Sequence, residues 1–191
     1  MKKIPAVIIL CLFLSSSIFA KENFLSFTTG LSSGYPFYGS EKIKDTNNSL
    51  QDAGRGIFGF FFNLNLNVIE QCTFFVGADL LTDLIIQGGN HSNHLHFGIP
   101  FGVKLYPNLK GFNFGIAYML GFRADFIDVT GRDSGNEISS WGNGFKLFAE
   151  YNFAKTGKSR FLPSVGLSYS LMPRGHNTFD NLLGLYLGVN F

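Results

Sequence analysis

The residues best suited to chemistry are histidines and the serine between two of them. The stretch "HSNHLH" contains His91, His94 and His96, and His176 lies much further along the chain. A metal site would require several imidazoles to converge on one ion. His91 and His94 fall in a segment without strand periodicity. His96 lies at the start of a strand pattern, and its position in the alternation predicts that it points into the mouth of a barrel. We therefore interpret the histidines as polar loop residues, with weak metal candidates as the alternative, and we expect no cofactor.

Serine catalysis requires a base within hydrogen-bond reach of the hydroxyl group. His91 is directly adjacent to Ser92 in the same loop segment, and the late "SYS" segment, residues 168–170, contains no histidine. No base is therefore predicted to be aimed at a serine. The sequence predicts a protein that is not an enzyme.

A second group of candidates consists of charged residues that recur among glycines and asparagines. Four are acidic and four are basic, and they form the predicted lumen charge network: Asp79, Asp83, Lys104, Arg123, Asp125, Lys146, Glu150 and Arg160. Desolvated charges must find partners. Their heights along the predicted strands favour the pairs Asp83–Arg123 and Asp79–Lys146.

These residues lie on segments that alternate with period two, which indicates strands with two different faces. In "FGFFFNLNLNV", for example, Phe58, Phe60 and Phe62 share one face, opposite Asn63 and Asn65. A strand that crosses a bilayer needs roughly 9 to 11 residues. Eight such segments are predicted: 23–35, 58–68, 72–84, 95–106, 112–126, 144–153, 160–171 and 182–191. Connections alternate between short and long, so both termini lie at the end with the short connections.

The alternation alone does not decide which face points outward. An eight-stranded barrel leaves an interior only wide enough for side chains to fill. Because the apolar face is crowded with Phe and Leu and the other is rich in Gly, we place the apolar face outside, against lipid. The fold class is therefore all-β: a closed eight-stranded antiparallel transmembrane barrel with up-and-down topology. Aromatic residues near strand ends are expected to anchor it at the headgroups, namely Tyr35, Tyr38, Tyr106, Trp141 and Tyr151.

The beginning of the chain has the pattern of a secretory signal peptide. Lys2 and Lys3 precede an apolar run, and the run ends in small residues up to Ala20. It is too short for a spanning helix. We expect residues 1–20 to be cleaved and 21–191 to form one barrel domain. The mature chain then has 13 basic and 13 acidic residues and one cysteine, Cys72. Zero net charge gives no footprint for nucleic acid.

The last ten residues, "LLGLYLGVNF", form a strand pattern that ends on Phe191. Here the chain resembles the small eight-stranded outer-membrane proteins of the OmpX, OmpW and OmpA-barrel type. The resemblance implies Sec export to the outer membrane of a diderm bacterium and contact with its lipids. It also implies handling by periplasmic chaperones and by an assembly machinery that recognises Tyr186 and Phe191. We expect a monomer.

The function predicted from these observations is a structural or surface-interaction scaffold, adhesin-like, that presents outer loops to a host or surface ligand. The alternative is a narrow conduit for small solutes, as proposed for OmpW-like proteins. A secreted lipocalin-like binder, with the apolar face inside, is a further alternative. So is a lipid A-modifying enzyme, although the His-x-Ser signature of lipid A deacylases is missing from the late strand.

Overall fold

The computed structural model describes residues 24–50, 52–107, 111–131, 134–153, 162–174 and 178–191. The expected signal peptide therefore lies outside the described residues, as do Arg160 and His176. The described part consists of one helix and a series of strands: β1 (Leu25–Phe37), α1 (Glu41–Ser49), β2 (Gly54–Ile69), β3 (Cys72–Gln87), β4 (Asn90–Leu105), β5 (Phe112–Asp128), β6 (Gly135–Ile138), β7 (Gly142–Asn152), β8 (Leu162–Pro173) and β9 (Phe179–Asn190).

The strands pair antiparallel around a closed ring. Each barrel strand pairs with the next along the chain, and β1 pairs with β9 from Thr28 opposite Asn190 to Phe37 opposite Asn181. The backbones of Phe27 and Phe191 complete this seam with two hydrogen bonds of 2.8 and 3.2 Å. The short strand β6 pairs only with the outer end of β5, so it extends the rim and adds no member to the ring. The prediction of a closed eight-stranded antiparallel barrel is confirmed.

The outer surface of the barrel is apolar. Leu31, Phe58 and Leu187 are 67, 61 and 62% exposed, and most large apolar residues of the strands face the same way. Such a belt is stable only against an apolar solvent. The outward placement of the apolar face is confirmed, and the lipocalin-like arrangement is excluded.

The interior contains aromatic rings that fit over glycines of neighbouring strands. A Cβ added to Gly115 would lie 2.0 Å from Cζ of Phe148, and one added to Gly166 would lie 2.2 Å from Cζ of Tyr186. Only glycine allows such an approach. The glycines on the inner face therefore leave room for aromatic rings of the neighbouring strands.

The strands extend further at the outer end than the alternation predicts. β2, β4 and β5 contain 16, 16 and 17 residues, and the second outer connection is a turn at Gly88 and Gly89. Polar side chains there do not interrupt the ladder, because pairing satisfies the backbone whatever the side chain. As a result, His91, Ser92 and His94 lie on β4, and their assignment to a loop is wrong.

The first outer connection contains the helix α1, which the sequence did not predict. Its residues are mostly polar, and only Ile43 and Thr46 are buried. The helix is held by a small apolar cluster at the rim, formed by Tyr38, Ile43, Leu50, Ile85, Ile127 and Val129. In the described part of the chain, no helix has the length and apolar character needed to cross a membrane.

Candidate functional site

The outer mouth of the barrel is closed by a buried polar cluster. Strands β2 to β5 and β9 contribute residues from their outer ends, and the first and last connections complete it. We call this set the mouth cluster: Tyr38, Asn47, Arg55, Asp83, Ser92, His94, His96, Arg123, Asp125, Arg174 and Asp180. Asp83, Ser92 and His94 in this set have no exposed surface.

Asp83 is bound by Arg55 and Tyr38. Arg55 donates from Nε to Oδ1 at 2.8 Å and from Nη2 to Oδ2 at 2.7 Å, and the Tyr38 hydroxyl donates to Oδ2 at 2.5 Å. Burial, and then the nearby carboxylate, raise the pKa of Tyr38, so its phenol stays protonated and donates. The predicted Asp83–Arg123 pair is wrong. Arg55 precedes the predicted second segment, which starts at Phe58, but β2 begins at Gly54 and places Arg55 diagonally across the ladder from Asp83.

Arg123 instead joins Asp125 and Asp180. Its Nε donates to Oδ1 of Asp125 at 2.7 Å, and its Nη1 donates to Oδ2 of Asp180. Arg174 Nε donates to the same Asp180 oxygen at 2.6 Å, while the backbone N–H of Gly39 donates to Oδ1 at 2.9 Å. Asp180 therefore ties β5 to the first and last outer connections. Sequence reasoning missed Arg174 and Asp180 because both lie in a polar segment that showed no alternation.

A serine, a histidine and an aspartate form a hydrogen-bonded chain in the cluster. Ser92 and His94 are two residues apart on β4 and share its inner face, and Asp125 lies opposite His94 on β5. His94 Nδ1 is 2.6 Å from Oδ1 of Asp125, and His94 Nε2 is 2.9 Å from Ser92 Oγ. A histidine therefore lies within hydrogen-bond distance of a serine, contrary to the expectation from the sequence. It is His94, two residues after Ser92.

The other histidines do not join this chain. His91 is exposed and lies on the opposite face of β4 from His94. His96 points inward, and its Nδ1 accepts a hydrogen bond from Arg174 Nη2. Within the described residues, no three His, Cys, Asp or Glu side chains are grouped so that they could hold a metal ion.

The predicted network of the lower lumen contains one of the expected ion pairs. Lys146 Nζ lies 2.6 Å from Oδ2 of Asp79, as the heights along the strands indicated. Lys104 is 2% exposed, and its Nζ lies 5.6 and 5.9 Å from the ring centroids of Phe75 and Phe148. These rings provide favourable cation–π contacts for the buried ammonium group.

Glu150 and the C-terminal strand meet below this level. Glu150 accepts hydrogen bonds from Asn113 Nδ2 at 3.0 Å and from the Tyr186 hydroxyl at 3.2 Å. Tyr186 therefore points into the lumen, whereas Phe191 is 52% exposed on the outside. The recognition of both by an assembly machinery stays a prediction.

Tyr38 does not lie at the headgroup level, where the sequence predicted it. Tyr38 is 7% exposed and points into the mouth, so its predicted anchoring role is wrong. Trp141 is 55% exposed and packs on Phe97 and Phe122, with ring centroids 6.0 and 5.0 Å away. This cluster fits an interfacial aromatic girdle.

No protein-family model matches the sequence, and no curated protein matches it. Solved structures do match. Ail, the attachment invasion locus protein of Yersinia pestis, in complex with the heparin analogue sucrose octasulfate, aligns with a TM-score of 0.56 at 9% identity, over 87% of this chain and 97% of that one. Neisserial surface protein A aligns with a TM-score of 0.55 at 11% identity, over 87% and 95%. The chain thus has the fold of small outer-membrane β-barrels.

Proposed function

We propose that the protein is an integral outer-membrane barrel that acts as a surface-interaction scaffold and presents its outer connections to a host or surface ligand. The observation that carries this proposal is the closed mouth. A barrel whose mouth is filled by ion pairs and overlain by a helix has its exposed polar surface at the outer rim. The solved structures of similar fold include Ail, an attachment invasion locus protein.

The interior argues against the alternative, a conduit for small solutes. Arg123 and Arg174 cross the mouth in buried ion pairs with Asp125 and Asp180, and the partly exposed Arg55 pairs with the buried Asp83. Below them lies a cavity of about 50 Å³ next to Lys104, Lys146 and Glu150. A cavity needs roughly 10 to 15 Å³ of such volume to hold one water, so this one has room for a few waters.

The outer rim carries the groups that a partner would contact. Helix α1 is polar, and its Lys42 reaches Glu137 of β6 at 3.3 Å, with both side chains more than half exposed. Because exposed ion pairs are weak, these groups exchange readily for a partner's charges. Export through the Sec pathway, residence in the outer membrane and a monomeric state belong to the same proposal.

Surface presentation of α1 can be tested by labelling intact cells with a membrane-impermeant maleimide. In a Cys72→Ser background, Asn48→Cys places a thiol on the exposed side of α1, and Glu70→Cys places one in the turn at the opposite end of the barrel. We expect Asn48→Cys to react in intact cells. Glu70→Cys should react only after the outer membrane is permeabilised, and it is the matched control.

The reverse pattern would place α1 in the periplasm and overturn the scaffold. Reaction of neither thiol in intact cells, with reaction of both after permeabilisation, would also contradict surface presentation. Both variants should keep a heat-modifiable band on gels, which shows that the barrel has formed.

A further inference from the structure

Apart from His94, the mouth cluster contains three carboxylates and three guanidinium groups. Its carboxylates are Asp83, Asp125 and Asp180, and its guanidinium groups are Arg55, Arg123 and Arg174. Each carboxylate thus has a guanidinium partner, and buried charge is costly when it is unpaired. The carboxylate beside Nδ1 selects the tautomer in which Nδ1–H donates to Asp125. Nε2 is then an acceptor, 2.9 Å from Ser92 Oγ and within reach of its proton.

We propose that Ser92 is the nucleophile of an ester-cleaving site in which His94 is the general base and Asp125 positions the imidazole. The serine-to-histidine distance of 2.9 Å and the histidine-to-aspartate distance of 2.6 Å lie within the range for such a relay. The three groups come from adjacent strands of a rigid ladder, which fixes their geometry. This inference goes beyond the scaffold function and does not depend on it.

Access to Ser92 runs past Asn47 of α1. The Ser92 hydroxyl donates a hydrogen bond of 3.2 Å to the Asn47 side-chain oxygen, which also lies 3.1 Å from His94 Nε2, so Asn47 competes with His94 for the hydroxyl proton. Asn47 also lines a groove of about 280 Å³ at the rim. Asn47 therefore contacts both the groove and the serine.

The groove's chemistry indicates the substrate. Its wall includes Tyr35 and Phe37, which are 50 and 54% exposed on the lipid-facing side, and it also includes the cationic Lys44 and Arg55. Lys44 and Arg55 are paired with Glu41 and Asp83, so the groove places apolar rings at the membrane level beside paired charges at the rim. This lining fits an amphiphile, and the substrate class is therefore a carboxylic ester of an amphiphile in the outer leaflet.

The reaction needs only water as co-reactant. Ser92 Oγ bonds to the ester carbonyl carbon while its proton passes to His94 Nε2. The ester C–O bond then breaks, and the alkoxide leaves with that proton, which gives an acyl-serine. Water attacks the acyl carbon, its proton passes to His94, and the released Ser92 oxygen recovers it as the carboxylic acid departs.

The test is covalent labelling by a fluorophosphonate probe of the full mature chain folded in phospholipid vesicles. We expect the probe to be mapped to Ser92 by peptide mass spectrometry and to be absent from Ser92→Ala. His94→Asn should lower the labelling rate by about 10²-fold or more, because the general base is lost. Asn47→Ala should raise the rate, since it removes the competing acceptor of the hydroxyl proton. Ser33→Ala, at an exposed serine, is the matched control and should label as the parent does.

A purely structural role for the chain of hydrogen bonds makes a different prediction. In that case neither the parent nor Asn47→Ala would be labelled at Ser92, although both show the heat-modifiable band of a folded barrel, and the proposal would be overturned. Labelling that does not depend on His94 would overturn it as well. Surface labelling at Asn48→Cys is a separate readout, so failure of the ester-cleaving site is distinguishable from failure of the scaffold.

Discussion

Asp180 shows how single residues hold the mouth together. This carboxylate is 1% exposed, and it accepts hydrogen bonds from two guanidinium groups and from the backbone of Gly39. Removing it would leave Arg123 and Arg174 buried with two positive charges beside each other. An unpaired buried charge destabilises far more than an exposed pair stabilises.

The first prediction concerns this residue. Asp180→Ala should lower the free energy of unfolding by about 3 to 5 kcal/mol, because it leaves buried charges uncompensated. Denaturant titration of the barrel in vesicles, followed by tryptophan fluorescence, measures the change. Asp45→Asn on the exposed face of α1 is the control, with an expected change within about 0.5 kcal/mol. If Asp180→Ala behaved like Asp45→Asn, the ionic closure of the mouth would be wrong.

For individual residues, the sequence predicted which charged side chains enter the lumen better than it predicted the ion pairs that they form. The alternation placed Asp79 and Lys146 at one height, and the structure joins them. It assigned Asp83 to Arg123 because Arg55, Arg174 and Asp180 lay in segments without alternation. Cross-strand partners near the rim depend on where each ladder ends, and no local pattern encodes that. The serine–histidine spacing on β4 could have been found, since residues two apart on a strand share a face.

Between neighbouring strands, glycine determines how closely an aromatic ring of one strand can approach the backbone of the other. On β5, Gly115 lies opposite Phe148 of β7, and the ring occupies the volume where a side chain at position 115 would stand. The fit of ring over glycine fills much of the narrow lumen, in keeping with the close packing of protein interiors.

The second prediction tests this fit. Gly115→Ala should destabilise the barrel by about 1 to 3 kcal/mol, because the added Cβ collides with the Phe148 ring. Gly56→Ala is the matched control, since a Cβ there meets nothing within 4 Å. Unfolding midpoints in vesicles measure both. In the double variant Gly115→Ala with Phe148→Leu, most of the loss due to the alanine should be relieved. Equal midpoints for the two single variants would contradict the packing.

The existence of the eight barrel strands was predictable, but their ends and the helix α1 were not. Eight strands followed from period two, because a strand between lipid and lumen must alternate. The helix α1 was missed, since its segment is polar and its stability comes from a few tertiary contacts of Ile43 and Leu50 at the rim. Outer strand ends were underestimated because backbone pairing continues where the apolar pattern stops.

For the molecule as a whole, the closure of the barrel and its need for an apolar solvent are linked. Every backbone group in hydrocarbon must be paired internally, so the ring has to close through β1 and β9. The outward apolar belt then requires lipid or detergent as its solvent. Fold class, face assignment and the position of the termini all followed from the sequence, because these properties depend on patterning over the entire chain rather than on individual contacts.

The most direct test of this account is refolding of residues 21–191 with and without phospholipid vesicles, followed by circular dichroism and by gel migration of boiled and unboiled samples. The account predicts that strand signal and a heat-modifiable band arise together and only with vesicles, because the belt of Phe and Leu faces lipid. A monomer that folds fully in plain buffer would contradict it, since the apolar face would then have to lie inside.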